Sequence, residues 1–292
     1  MNRLVLQPAT NTSEDVITSN LAATFKRGYK PLTQAEGYRG PISLVGAGPS
    51  LAWTYKDLVG DVMACNSAHD YLLGKGIVPQ YTMLWDAHPV MANMITTPHP
   101  KVKYLVASRC HPSVFEKLKD CDVTVWHAMG GDDALGGLLA KHGRNELLVP
   151  GGTSSIMRAT HLAGALGYAK EVHLFGIDSC CSGGKTHVKG SLTDQNTITL
   201  IACGKPFIVA PWMAMQAEDF KVFAPLLRAN GMRLVVHGTG LIPYIATFLG
   251  IETPDMRVSV YERMRRHLHG LFLVYRYLRS SPQLLGGFNA GN

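Results

Sequence analysis

The chain has 292 residues, 46% apolar and 17% charged, which is enough to bury one large core or two modest ones and speaks against a disordered protein. Its 28 Lys and Arg against 21 Asp and Glu give a formal charge of +7, favouring nucleotides, nucleic acids or anionic surfaces as partners without bearing on fold. The opening MNRLVLQPATNTSEDV lacks a signal peptide's basic start and unbroken apolar core, no apolar run approaches transmembrane length, and the six cysteines have no metal-pair spacing, so a cytoplasmic protein with reduced thiols is expected.

In chain order, the first forty residues read as a polar arm and one helix over 13–26, capped by Ser13 or Asn11. Short β-like runs follow at 42–45, 62–65, 81–85, 102–107, 123–126 and 171–175, with helices expected over 51–59, 68–75, 112–119 and 154–166. This alternation predicts an α/β, Rossmann-like architecture, a mostly parallel sheet with helices on both faces. Beyond residue 190, NTITLIACGKPFIVAPW reads as two short strands or a strand and an edge piece, followed by a helix over 213–229 and a strand over 233–236. The expected organisation is an arm (1–40), a nucleotide-binding domain (41–245) and a basic helical extension (246–292). In the extension, YERMRRHLHG leads into LFLVYRYLRS. That segment reads first as a docked terminal helix with its arginines in water, and second as a nucleic-acid or membrane-surface contact.

Three constellations carry chemistry. In ISLVGAGPSL, Gly46 and Gly48 permit a tight turn or close ligand approach, and Pro49 and Ser50 suit a helix entry whose N–H groups attract anions. The run lacks the third glycine of a dinucleotide fingerprint and the Gly-Lys-Ser/Thr of a Walker A loop, so phosphate cradle and plain turn stand level. In such sheets ligands sit beyond the C-terminal strand ends, where Asn66, Asp86 and Asp178 fall. In PGGTSS, Gly151 and Gly152 precede Thr153, Ser154 and Ser155, a second helix entrance suited to ribose, base or phosphate, or to ordinary capping. Gly183, Gly184, Lys185, Thr186 and His187 form a polar loop. There Lys185 could meet phosphate and His187 could move a proton, while Asp178 could orient a hydroxyl or ligate a divalent ion; an incidental surface loop is the alternative. Asp132 and Asp133 read as a turn and helix cap before a metal patch. Trp85 and Trp126 read as packing residues before ring-stacking ones, and Trp212 as a further stacking candidate.

GAGPSL at 46–51, GGTSS at 151–155 and LFGIDSCCSGGKTHVKG at 174–190 resemble the family known as unknown-function domain 115, or 6-hydroxymethylpterin pyrophosphokinase MptE-like, over about residues 20–245. That family includes archaeal enzymes moving a diphosphate from ATP to a hydroxymethylpterin and large bacterial proteins implicated in adding nonulosonic acids to flagellin. The GxGPSL turn also resembles CMP-sialic-acid-using bacterial sialyltransferases. The resemblance implies that Gly46, Gly48, Pro49 and Ser50 cradle nucleotide phosphates and that Asn66 contacts the nucleotide. It also implies that Asp86 is an acidic strand-end position, that 183–187 is the family's distinctive loop, and that HGTGLIP (237–243) is its final glycine-rich loop. These motifs are specific for the family and not for the reaction. The chain lacks the long flanks of the flagellin-modifying proteins, exceeds a minimal pterin kinase at both ends, and a compact member also fits a phage or prophage origin.

The leading expectation is a glycosyltransferase using a CMP-activated sugar and a small-molecule, glycan or protein hydroxyl acceptor. His187 is the first choice of base, with His88 and His237 behind it, and Asp86, Asp178 and Lys185 are further catalytic candidates. The alternative is a pyrophosphokinase acting on a hydroxymethylpterin-like acceptor with ATP and Mg²⁺, the metal held by Asp86 and Asp178. A non-enzymatic nucleotide-binding or assembly protein is the third reading. No permanently bound cofactor is expected: the nucleotide or CMP-sugar enters as substrate, Mg²⁺ accompanies ATP only, and a homo-oligomer is compatible with all three.

Overall fold

Short runs of apolar residues buried on both faces make the centre of the molecule, which a computed structural model describes over residues 12–129, 133–190 and 197–256. The strands are β1 (Lys30–Pro31), β2 (Ile42–Val45), β3 (Asp61–Cys65), β4 (Tyr81–Leu84), β5 (Lys103–Ala107), β6 (Asp122–Ala128), β7 (Leu148–Val149), β8 (Glu171–Phe175), β9 (Ile198–Ala202), β10 (Lys205–Val209) and β11 (Arg233–Val236). The α-helices are α1 (Glu14–Phe25), α2 (Leu51–Thr54), α3 (Ala68–Leu73), α4 (Pro112–Lys117), α5 (Asp133–Lys141), α6 (Ser155–Ala165), α7 (Pro211–Ala229) and α8 (Leu241–Phe248).

Among the described residues one nine-stranded sheet runs β1-β6-β5-β4-β3-β2-β8-β11, with β7 beside β6. Every pairing in it is parallel. Parallel strands need crossovers, and the intervening helices cover both faces. Leu44, Met63, Cys65 and Leu174 turn into the larger core with Ile156, Ala159 and Leu162 of α6. Val45, Val62, Ala64 and Phe175 turn the other way, onto Leu51 of α2 and Ala68 and Leu72 of α3. This is the doubly covered α/β architecture of the sequence reading.

The first helix is predicted almost to the residue, with Ser13 capping it by accepting from the Val16 N–H at 3.5 Å. Ile17, Leu21 and Phe25 line one face and pack on Leu135 and Leu139 of α5, while Asn20 Nδ2 donates to the carbonyls of Ala87 and Arg109, each at 3.1 Å. β9 and β10 form an antiparallel ribbon, the first of the two outcomes read from 196–212.

Two local expectations need correction, and three short elements were not foreseen. The helix over 51–59 is one α-turn, α2, continued as a 3₁₀ turn over Tyr55–Asp57. Strand β4 stops at Leu84, one residue short of the expected end, and Trp85 follows it, partly buried against the larger core. β1 and β7, two residues each, were not expected, nor was the 3₁₀ segment Pro89–Met94. Asp132 and the basic segment with its expected helix from 257 onward lie outside the described residues.

Candidate functional site

The strand order reverses between β2 and β8: chain segments after β2 add strands on one side, while β8 and β11 lie on the other. Crossovers diverge at such a switch point and leave a crevice beyond the carboxyl ends of the strands. A cleft of about 260 Å³ occupies that place. Gly46, Ala47 and Gly48 follow β2 into it, Cys65 ends β3 with Asn66 and Ser67 after it, and Gly176, Ile177 and Ser179 follow β8. Ser154, Ser155 and Ile156 at the start of α6 form one wall, with Met94 nearby. Thr186 and His187, together with Trp212, Met213 and Gln216 of α7, complete it.

The floor is a knot of glycine-rich turns. Gly46 N–H donates to Phe175 O at 2.8 Å and Gly48 N–H to Gly176 O at 2.9 Å. A Cβ on Gly46 or Gly48 would lie 2.6 or 2.7 Å from Gly176 O, so these glycines are demanded by backbone against backbone rather than by a ligand. Asp178 ties the knot. It is 1% exposed, accepts from Ser50 N–H at 2.6 Å, and pairs its other oxygen with the Ser50 hydroxyl. Burial pushes the Asp178 carboxyl up to about 6, against the lowering effect of the Ser50 bonds. Leu241 N–H donates to Asp178 O at 2.8 Å, bringing the 237–243 loop into the same knot.

The expected cradle is therefore largely satisfied internally. Pro49 has no N–H, Ser50 is buried with its N–H engaged, and neither lines the cleft. With α2 only four residues long, its N-terminus supplies little dipole. Ala47 and the carbons of Gly46 and Gly48 are what the turn presents.

Donors come instead from the second entrance. Ser154 caps α6, accepting from Met157 N–H at 3.2 Å, and the first-turn N–H groups of Ser155 and Ile156 have no intrahelical acceptor. Thr153 N–H is taken by Asp219 at 2.8 Å. Gly151 and Gly152 let the loop press on α6: a Cβ on Gly151 would meet Arg158 at 2.8 Å, and one on Gly152 the sulfur of Met157 at 3.0 Å. Asn66, held at φ 52°, donates from Nδ2 to Ser155 Oγ at 3.0 Å. Its buried Oδ1 has no partner.

His187 stands at the mouth. Its side chain reaches solvent, yet surrounding protein holds its pKa below the ordinary imidazole value. Nδ1 lies 3.0 Å from Thr186 Oγ1, and the ring stacks toward Trp212 with centroids 6.2 Å apart. Val188 N–H donates to Ala47 O at 2.8 Å, pinning this loop to the floor. Gly183 and Gly184 take positive φ in open space, and Lys185 is exposed beside them; none of the three lines the cleft. Ser179 Oγ donates to Gln216 Oε1 at 2.9 Å, which turns the Gln216 amide nitrogen away from Ser179. Burial raises the Cys65 thiol to about 12, so it is no nucleophile at neutral pH.

Asn66, Ser154, Thr186 and His187 are thus brought together around Gly46 and Gly48, whereas other candidates are not. Asp86 accepts from His88 N–H at 3.0 Å and is absent from the lining. His88 caps the 3₁₀ segment by accepting from Val90 N–H at 3.2 Å. His237 stacks on Phe175 at 4.1 Å and pairs with His173 at 3.1 Å. A Mg²⁺ site shared by Asp86 and Asp178 does not fit their placement: both Asp178 oxygens bond to Ser50, and Asp86 lies off the lining. Sequence reasoning did not single out Ser179, Gln216 or Asp219, whose partners lie 37 to 66 residues away. Trp126 is fully buried, as its packing role requires.

The family described as 6-hydroxymethylpterin diphosphokinase MptE-like matches residues 16–184. The fold is similar to a solved structure of the MAf glycosyltransferase from Magnetospirillum magneticum AMB-1, with a TM-score of 0.58 and 16% identity, covering 92% of this chain and 43% of that one. The chain therefore spans less than half of that protein. No curated protein matches.

Proposed function

Starting from the chain's membership of the 6-hydroxymethylpterin diphosphokinase MptE-like family, we propose that it is a nucleotide-dependent transferase using a CMP-activated sugar and a hydroxyl acceptor. The observation that carries this reading is the cleft's lining, which among the described residues contains no carboxylate and no Lys or Arg. Diphosphate transfer from ATP concentrates negative charge that Mg²⁺ on carboxylates ordinarily neutralises. A CMP-sugar carries its leaving group ready-made, with one phosphate to stabilise. Backbone N–H groups at Ala47, Ser155 and Ile156 suit that smaller charge.

In this reading the nucleotide lies across the switch point, between Gly46, Gly48 and Asn66 on one side and Ser154 and Ser155 on the other. His187, neutral at pH 7 because its pKa is lowered, removes the acceptor's proton as the glycosidic bond to the CMP phosphate breaks. Lys185, two residues away on the exposed loop tip, adds positive potential at the entrance. Asp178 acts at a distance, holding Ser50 and hence the floor. No described helix is long and apolar enough to cross a membrane, and the acceptor is taken to arrive from solvent past Trp212.

The family's description favours the ATP-dependent alternative, so the test must separate the two. Purified protein is incubated with CMP-N-acetylneuraminic acid in EDTA, and CMP release is followed. The expected result is metal-independent release that falls about 10²- to 10³-fold in His187→Ala. No release in EDTA, together with AMP formation from Mg-ATP and 6-hydroxymethylpterin, would replace this reading with the pyrophosphokinase.

A further inference from the structure

Ser155 Oγ accepts two hydrogen bonds, from Asn66 Nδ2 at 3.0 Å and from the Trp85 indole N–H at 3.1 Å. A hydroxyl has two lone pairs and one proton. With both lone pairs engaged, Ser155 can act toward a further group only as a donor, and it lines the cleft. The same arrangement settles Asn66: with Nδ2 committed to Ser155, Oδ1 is left as an acceptor, buried and without partner. An unpaired buried acceptor is costly, and a ligand donor would relieve it.

Trp85 is itself held from outside the cleft. The strand ends one residue before it, and Arg158 and Arg109 place their guanidinium carbons 4.7 and 5.7 Å from its ring centroid. Arg158 is 7% exposed and donates to the carbonyls of Val149 at 3.1 Å and Met129 at 3.3 Å. The ring is therefore fixed, with its N–H aimed at one oxygen.

We infer that Trp85 is a positioning residue that locks the Ser155 hydroxyl as a donor into the cleft, making Ser155 and Asn66 a donor–acceptor couple that reads adjacent acceptor and donor atoms on the nucleotide. The amino and ring-nitrogen edge of cytosine and the cis-diol of ribose both offer that pair. This rests on the nucleotide-binding reading of the same cleft and adds the residue that orients it. Without the indole N–H, Ser155 could turn its proton toward other acceptors, and the couple would lose its fixed polarity.

The test is a double-mutant cycle on the full chain: Trp85→Phe, Ser155→Ala and both together, titrated with CMP, 2′,3′-dideoxy-CMP and ATP. Trp85→Phe should weaken CMP by about fivefold and Ser155→Ala by about tenfold. The double variant should be no weaker than Ser155→Ala, because Trp85 acts through Ser155. Multiplying effects would overturn the inference while leaving CMP binding intact. Binding of ATP alone, with the same coupling, would overturn the CMP reading and keep Trp85 in its role; binding of neither removes both. If the couple reads ribose, 2′,3′-dideoxy-CMP loses the Ser155 effect; if it reads the base, the effect persists. A ligand-free check covers misfolded variants: the indole N–H resonance missing from Trp85→Phe should shift in Ser155→Ala, and an unmoved resonance contradicts the bond on which the inference stands.

Discussion

Asp178 is the residue whose chemistry differs most from what its position at a strand end suggested. A carboxylate there reads as a metal ligand or a hydroxyl-orienting group, but both oxygens are engaged by Ser50 inside the molecule. Its carboxyl rises from 3.8 to about 6 in the fold, so the folded state holds the proton more tightly than the unfolded chain. The stability it lends is full below the unfolded value and is lost as pH rises through 6, amounting to about 3 kcal/mol between the extremes. Asp178→Asn keeps an acceptor for Ser50 N–H and offers an amide donor to its hydroxyl. It should raise the melting temperature at pH 7 and flatten the stability profile between pH 4 and 6. Asp178→Ala leaves two buried groups unpaired and should cost about 2–4 kcal/mol; equal losses in the two variants would contradict the knot. His187 has the opposite signature. Its folded pKa lies below the ordinary 6.5, so kcat/KM should rise with pH through a value under 6.5 and then level. A rise centred above 7 would remove His187 as the base.

At the scale of elements, buried apolar runs were readable because a parallel sheet buries both faces and tolerates little polarity: β2 and β8 are predicted to the residue, and β5 nearly so. β1 and β7 were illegible because two residues carry no periodicity, and they exist only because β6 has edges to pair. The glycine motif was found, but its reason was not. Sequence offers ligand approach or a turn, and close packing against Gly176 appears only when β8 is placed beside β2. That distinction predicts unequal costs among left-handed glycines. Gly176 has φ 59° and its Cβ would overlap the Gly46 carbonyl, whereas Gly183 has φ 53° with nothing within 4 Å. Gly176→Ala should lose more than about 3 kcal/mol by denaturant titration, and Gly183→Ala about 1 kcal/mol. Similar losses would mean that backbone conformation alone, and not interlocking, dictates glycine in the floor.

For the whole molecule, the alternation of strands and helices points a ligand to the carboxyl ends of the strands, but the strand order, and with it the reversal between β2 and β8, is visible only in the fold. What that rule does not give is the polarity of the crevice. Ser155 lies 89 residues from Asn66 and 70 from Trp85, and no spacing rule joins them. The overall charge of +7 suggested an anionic ligand, yet the described lining is uncharged apart from what His187 can acquire; under the proposed function, positive potential acts at longer range and helix N–H groups make the contact. The central claim, a cleft that binds a cytidine monophosphate group without metal, is most directly tested by calorimetric titration of the full chain with CMP in EDTA, repeated with Mg²⁺ and with Mg-ATP. The account predicts CMP binding in EDTA with a Kd unchanged by Mg²⁺ and weaker or absent binding of Mg-ATP. Binding of Mg-ATP alone, abolished by EDTA, would contradict it.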